Sequence, residues 1–254
     1  MSDALSVNAT MGVLGAGVCL PDEALASALQ LDDCALDIAI LPPMVRRRTS
    51  LATRIAISAA SRACAEGGGD LQMPAIFVSA AGEMQVTDRL CQAIAREALP
   101  LSPTQFHNSV HNSASAYWSM ATGSMASMQA MSALQDCFAM GLLEAACQLQ
   151  TLAGRLLLVV YDEPMPADLL PGFDWQACAF ALLLGAPSKG LPIVSGPFVV
   201  DAGNAGDGPA GLSSRTPAMA GLPLLQALGH PVPGRHRLPV TMGNDGWTIE
   251  LELP

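Results

Sequence analysis

Four histidines, at positions 107, 111, 230 and 236, are the side chains whose ordinary pKa suits proton transfer near neutrality. His107 and His111 stand four residues apart, a spacing that puts two imidazoles on one face of a helix and suits a metal ion. No third ligand accompanies them, so packing and hydrogen bonding are the favoured reading. His230 and His236 lie in the proline-rich run GHPVPGRHRLP. Cysteines occur at 19, 34, 64, 91, 137, 147 and 178, without a C-x-x-C pair and without histidine at zinc spacing. They read mostly as small buried apolar residues of a reducing compartment. Gly15-Ala16-Gly17 gives part of a dinucleotide fingerprint but lacks its third glycine, which makes the signal weak. Neither a metal nor a cofactor is expected.

Composition narrows the function classes further. A net charge of −10 and a pI near 4.6 argue against nucleic acid, whose phosphates need clustered Lys and Arg. The one basic cluster is Arg46-Arg47-Arg48 with Arg54 close by. A solvated helix end is its favoured reading, with an acidic or phosphate partner as the alternative. Hydrophobic residues make up 51% of the 254-residue chain, charged residues only 13%, and the mean hydropathy is +0.37. Either a large Ala-, Leu- and Met-rich core or a hidden partner interface accounts for this. No uncharged apolar stretch is long enough to span a bilayer. The start, MSDALSVNAT, lacks the basic and apolar regions of a signal peptide, so a cytoplasmic location is expected.

The elements that would position these residues follow from periodicity and breakers. Residues 5–20 are β-prone, and 22–38 are mixed and partly helical. Residues 49–66 form an Ala-rich buried helix stopped by Gly67-Gly68-Gly69. AIFVSAA (75–81) predicts a buried strand, and 82–99 a helix closed by Pro100 and Pro103. A polar and aromatic segment, 104–122, leads to a strand over 123–131 and a helix over 132–152. RLLLVVY (155–161) is the clearest strand. Helix and buried strand in alternation indicate parallel βαβ units and an α/β fold. Further strands are expected at 178–184, 193–200 and 247–253, with a short helix at 223–228. Residues 201–220 have the composition of a flexible loop. The length suits a single domain, 1–254.

The run FHNSVHNSASAYWSMATGSMASMQAMSALQDCFAMGLLEAACQL (106–149) resembles the middle of a β-ketoacyl synthase N-terminal half. VLGAGVCLP resembles that family's first strand and turn, RIAISAASRACAEGG its first helix, and AIFVSAAGEM its second strand. The likeness covers roughly 5–185, leaving 186–254 as a reduced C-terminal part. It implies a truncated thiolase-like layered α/β fold. FHNSVHN followed by YWS is more narrowly similar to the short, chain-length-factor-like subunits found beside aryl polyene synthases.

That resemblance carries implications for chemistry. A ketosynthase uses a cysteine thiolate at a helix N-terminus, two imidazoles and an oxyanion hole. Ser132 falls at the nucleophile position. Its context, Met131-Ser132-Ala133-Leu134, is not a G-x-S-x-G elbow, and a helix N-cap is the favoured role. Cys137 is expected to point into the core. No histidine matches the family's two motifs. The expectation is therefore a non-catalytic subunit that pairs with an active ketosynthase and shapes its acyl pocket, reaching an acyl carrier protein through the complex. Phe106, His107, Asn108, Val110, Asn112, Tyr117 and Trp118 are the expected interface and pocket residues. An acyltransferase or hydrolase using Ser132 and a self-associating structural protein are the alternatives.

Overall fold

The computed structural model describes residues 10–97, 100–152, 154–167, 174–200, 216–241 and 246–254. Strand β1 (Thr10–Cys19) opens the chain, followed by short helices α1 (Glu23–Ala28) and α2 (Pro43–Arg46) and the long α3 (Leu51–Glu66). Then come β2 (Ala75–Val78), α4 (Met84–Ala95), α5 (Pro103–Asn108), α6 (Ser113–Thr122) and β3 (Met128–Met131). A 3-10 turn, Leu134–Asp136, leads into α7 (Cys137–Leu149). Strands β4 (Leu156–Asp162), β5 (Cys178–Gly185) and β6 (Ile193–Val200) follow. After a second 3-10 turn, Pro217–Gly221, the chain ends with α8 (Leu222–Gly229), β7 (Gly234–Pro239) and β8 (Gly246–Leu253).

The eight strands among the described residues form one sheet in the order β3-β2-β4-β5-β1-β6-β8-β7. β4 and β5 are buried along their whole length, as expected of uninterrupted apolar runs covered on both faces. On β4, Leu156, Leu158 and Val160 face the core under α7 and α8. Leu157, Val159 and Tyr161 face the core under α3 and α6. The result is a three-layer α/β/α stack, the layered α/β architecture expected from sequence.

Close packing of α3 on β1 explains the glycines at 15 and 17. A Cβ on Gly17 would lie 2.3 Å from the Ala59 carbonyl oxygen, and one on Gly15 2.4 Å from that of Ala63. These glycines admit the close approach of the α3 backbone. Ser50 caps α3 by accepting from the Thr53 N–H, and α3 stops at Gly67 as its glycine run requires.

Several expectations need correction. Parallel pairing is confined to β2–β3 and β2–β4; every other pairing is antiparallel. The strand expected over 123–131 shrinks to Met128–Met131, because Gly123 is the left-handed C-cap of α6 with φ of +64°. Ser132 is not a helix N-cap: α7 starts at Cys137, and the Ser132 hydroxyl donates instead to the Ala80 carbonyl at 3.1 Å. Of the flexible loop expected over 201–220, residues 201–215 lie outside the described residues. Residues 216–220 are buried, and the Ala218 N–H donates to Asp162 Oδ2 at 3.0 Å. The proline-rich run around His236 forms edge strand β7, paired through Arg235–Glu252 and Arg237–Glu250 ion pairs.

Candidate functional site

The parallel strands β2, β3 and β4 end side by side, and the C-terminal ends of parallel strands are where open α/β sheets carry their sites. The β2 end continues as Ser79-Ala80-Ala81-Gly82-Glu83. Asp162 at the β4 end is fully buried and accepts from the Ser79 hydroxyl and the Ala80 N–H, each at 2.9 Å, as well as from Ala218. Burial pushes its carboxyl up to about 7 against these hydrogen bonds, which lower it. Ser79 Oγ also accepts from the Gly82 N–H at 2.7 Å.

His111 closes this knot from the α5–α6 segment. Its Nε2–H donates to the Ser79 carbonyl at 3.0 Å. Gly82 has φ of +62°, and a Cβ there would lie 2.8 Å from the His111 ring. Glycine is therefore required both by the backbone and by the imidazole. His107 instead packs edge-on to Tyr117, so the two histidines have different partners. Among the described residues, no group of three or more metal-ligating side chains comes together.

The expected interface residues separate into two layers. Phe106 is 67% exposed, and His107, Val110 and Asn112 are exposed with it. Asn108 is buried: its amide donates to the Arg48 carbonyl, and its Oδ1 accepts from Tyr117 Oη at 2.9 Å. Asn112 does not satisfy a buried group through its side chain, since it leaves α6 uncapped. Trp118, 1% exposed, and Tyr117 are core residues on the buried face of α6. They hold the exposed layer in place from below.

Ser132 and Cys137 have distinct surroundings. Ser132 is exposed, and its hydroxyl is spent on the Ala80 carbonyl. His111, close by in the same knot, has its Nε2–H committed to Ser79. Cys137 is buried, its sulfur accepts from the Ala133 N–H at 3.3 Å, and desolvation pushes the thiol up to about 12. Cys178 is buried as well and shifted further in the same direction, by desolvation first.

A family model for the β-ketoacyl synthase N-terminal domain matches residues 23–230. The chain belongs to the β-ketoacyl synthase family. No curated protein matches it in sequence. Among solved structures, a ketosynthase in complex with its chain length factor from Xenorhabdus doucetiae superposes with a TM-score of 0.70 at 18% identity, over 96% of this chain and 99% of that one. A type II polyketide synthase acyl-carrier protein in complex with its ketosynthase gives 0.70 at 11% identity, over 98% and 100%. The ishigamide ketosynthase/chain length factor gives 0.59 at 12% identity, over 73% and 65%. At these identities the likeness establishes the fold. In this synthase-family chain, the described residues around Ser132 form a structural knot of carboxylate, hydroxyl and backbone groups.

Asp162, a member of that knot, was not singled out from sequence, and neither was its buried sequence neighbour Glu163 nor, after β2, the buried Glu83. The signal was present: a charged residue stands at the end of a buried apolar strand in YDE, and another follows β2 after the short turn SAAG. Such a residue must end the strand in a site or in a hydrogen-bonded knot.

Proposed function

We propose that the chain is a non-catalytic, chain-length-factor-like subunit that pairs with an active ketosynthase and shapes its acyl pocket. The observation that carries this reading is the open β3 edge of the sheet with exposed apolar side chains in the segments before and after it. β3 pairs with β2 on one side only, so its other edge is open. Exposed large apolar side chains gather in the segments flanking it: Phe106, Val110, Met120, Met125 and Leu134, with Met125 at 93% and Leu134 at 72%. An exposed apolar patch beside an open strand edge favours association. The expected interface residues Phe106, His107, Val110 and Asn112 are likewise exposed.

The similar structures include ketosynthase and chain-length-factor assemblies, which supports a ketosynthase as the partner. A carrier protein would then be reached through the complex. Aryl polyene assembly is the proposed setting, on the FHNSVHN and YWS segments, and the cytoplasm the proposed location. No described helix is long and apolar enough to cross a membrane. The absence of an activated Ser132 or Cys137 supports a non-catalytic role. Co-expression with an active ketosynthase tests the reading: a one-to-one complex is expected, with this chain aggregating when made alone. Acyl transfer or hydrolysis by the isolated chain, lost in Ser132→Ala, would overturn it.

A further inference from the structure

We propose that the cavity beside the outer edge of β1 is a docking site for a short, extended, basic peptide segment, gripped through the backbone of one of its residues. β1 pairs with β5 from Gly12 to Cys19, but with β6 only from Thr10 to Gly12. Beyond Val13, whose N–H donates to the Pro192 carbonyl at 2.9 Å, the edge away from β5 has no strand beside it among the described residues. It borders a cavity of about 420 Å³ instead, with Ala16, Gly17 and Val18 in the wall. In an antiparallel pair a residue turns its N–H and C=O to the same side, and successive residues alternate. The Ala16 N–H donates to Glu66 Oε2 at 2.7 Å, and the Val18 carbonyl accepts from Arg62 Nη1 at 3.2 Å, both partners lying on α3. Ala16 and Val18 therefore turn their backbone groups away from β5. Two of the four outward groups are taken by these side chains. The Ala16 carbonyl and the Val18 N–H remain, with no partner on that edge among the described residues.

Those two groups set the chemistry of the ligand. A residue in a parallel strand donates its N–H to one carbonyl and accepts, at its own carbonyl, from the N–H two residues further along. Ala16 and Val18 present that donor–acceptor pair, and a peptide residue can fill it with Glu66 and Arg62 left in place. Main-chain bonding to an open strand edge is how extended segments are recognised. Leu31, Leu225 and Leu228 give the cavity apolar wall for the flanking side chains. Charge selects a basic segment. Asp32, Asp33 and Glu66 line the cavity and are exposed. Arg62 is 15% exposed and already donates to Ser58 Oγ, the Ala35 carbonyl and Asp33. An approaching lysine or arginine therefore meets an excess of carboxylate. The far wall is pinned: Gln226 Nε2 donates to the Leu29 carbonyl at 2.8 Å and His230 Nε2–H to that of Gln30 at 3.0 Å, which ties α8 to the loop after α1.

This inference does not rest on the partner-subunit reading. A fluorescein-labelled peptide of alternating lysine and leucine, five residues long, is titrated with the full chain as it purifies, alone or with a ketosynthase, and anisotropy is read at fixed ionic strength. Two counterparts are compared: one with glutamate for lysine, and one methylated on every backbone nitrogen, which keeps the charge and removes the N–H donors. The lysine peptide is expected to bind, and each counterpart to bind about tenfold or more weakly. Hydrogen exchange over residues 14–20 should slow when the lysine peptide is bound. The Asp32→Asn, Glu66→Gln double variant keeps an acceptor for the Ala16 N–H and alters only exposed positions, so it should fold normally and lose about tenfold in affinity for the lysine peptide. No binding of the lysine peptide would overturn the proposal. So would equal binding of the methylated peptide, which would reduce the effect to charge alone, or an affinity unchanged in the double variant.

Discussion

Residue-scale strain and hydrogen bonding converge on the end of β2. Gly82 combines φ of +62° with direct contact against the His111 ring, so Gly82→Ala is strained twice. It should destabilise the protein by about 2–3 kcal/mol in urea unfolding and release His111 from Ser79. Asn108 joins the Arg48 carbonyl to the Tyr117 hydroxyl in a buried network. Asn108→Ala leaves both unsatisfied and should cost about 1–3 kcal/mol. Ser132→Ala removes one exposed hydrogen bond and should shift stability by no more than about 0.5 kcal/mol, with assembly intact. Little of this was legible in the sequence. FHNSVHN marks the segment as unusual, but whether Asn108 or Asn112 turns inward depends on how α5 and α6 break between them. That break is set by packing against α4 and the β2 turn, which no local pattern encodes.

At the scale of elements, apolar runs and breakers were the reliable guides. α3 follows from its Ser50 cap and the glycines after it, and β4 and β5 from unbroken apolar runs. Strand direction was not legible, because a buried antiparallel strand such as β5 reads like a parallel one. β3 and the start of α7 were also misplaced. The intervening turn carries Leu134 at φ of +51°, a conformation that sequence seldom signals for leucine. β7 was missed because proline and glycine at its ends masked a short edge strand held by cross-strand ion pairs. The tight α3–β1 contact makes its own prediction. Gly17→Ala places a methyl against two backbone atoms of α3, which must move away. A loss of about 1–3 kcal/mol is expected, with an expanded packing signature in near-UV circular dichroism.

The whole molecule is acidic and apolar, and the structure places its exposed apolar residues unevenly. Five of the large ones among the described residues fall between 106 and 134 in sequence, in the segments before and after β3. Composition alone left open whether the hydrophobic excess served a core or an interface. The described residues form two core layers across the sheet and also leave large apolar side chains exposed in the segments before and after β3. Because Asp162 and Glu163 are pushed up to about 7, stability from these carboxyls is greatest at the acidic end and declines as pH rises toward and through 7. Melting in buffers of matched ionic strength checks this.

The central claim is that the β3 face binds a ketosynthase. Its most direct test is co-purification of an active ketosynthase with wild type and with the Met125→Glu, Leu134→Glu double variant, with subunit mass measured by light scattering. Both positions are exposed, so the variant should fold normally, and charge on the face should abolish the one-to-one complex formed by wild type. A complex that survives both charges unchanged, or a wild-type chain that stays monodisperse and ignores the synthase, would contradict the account.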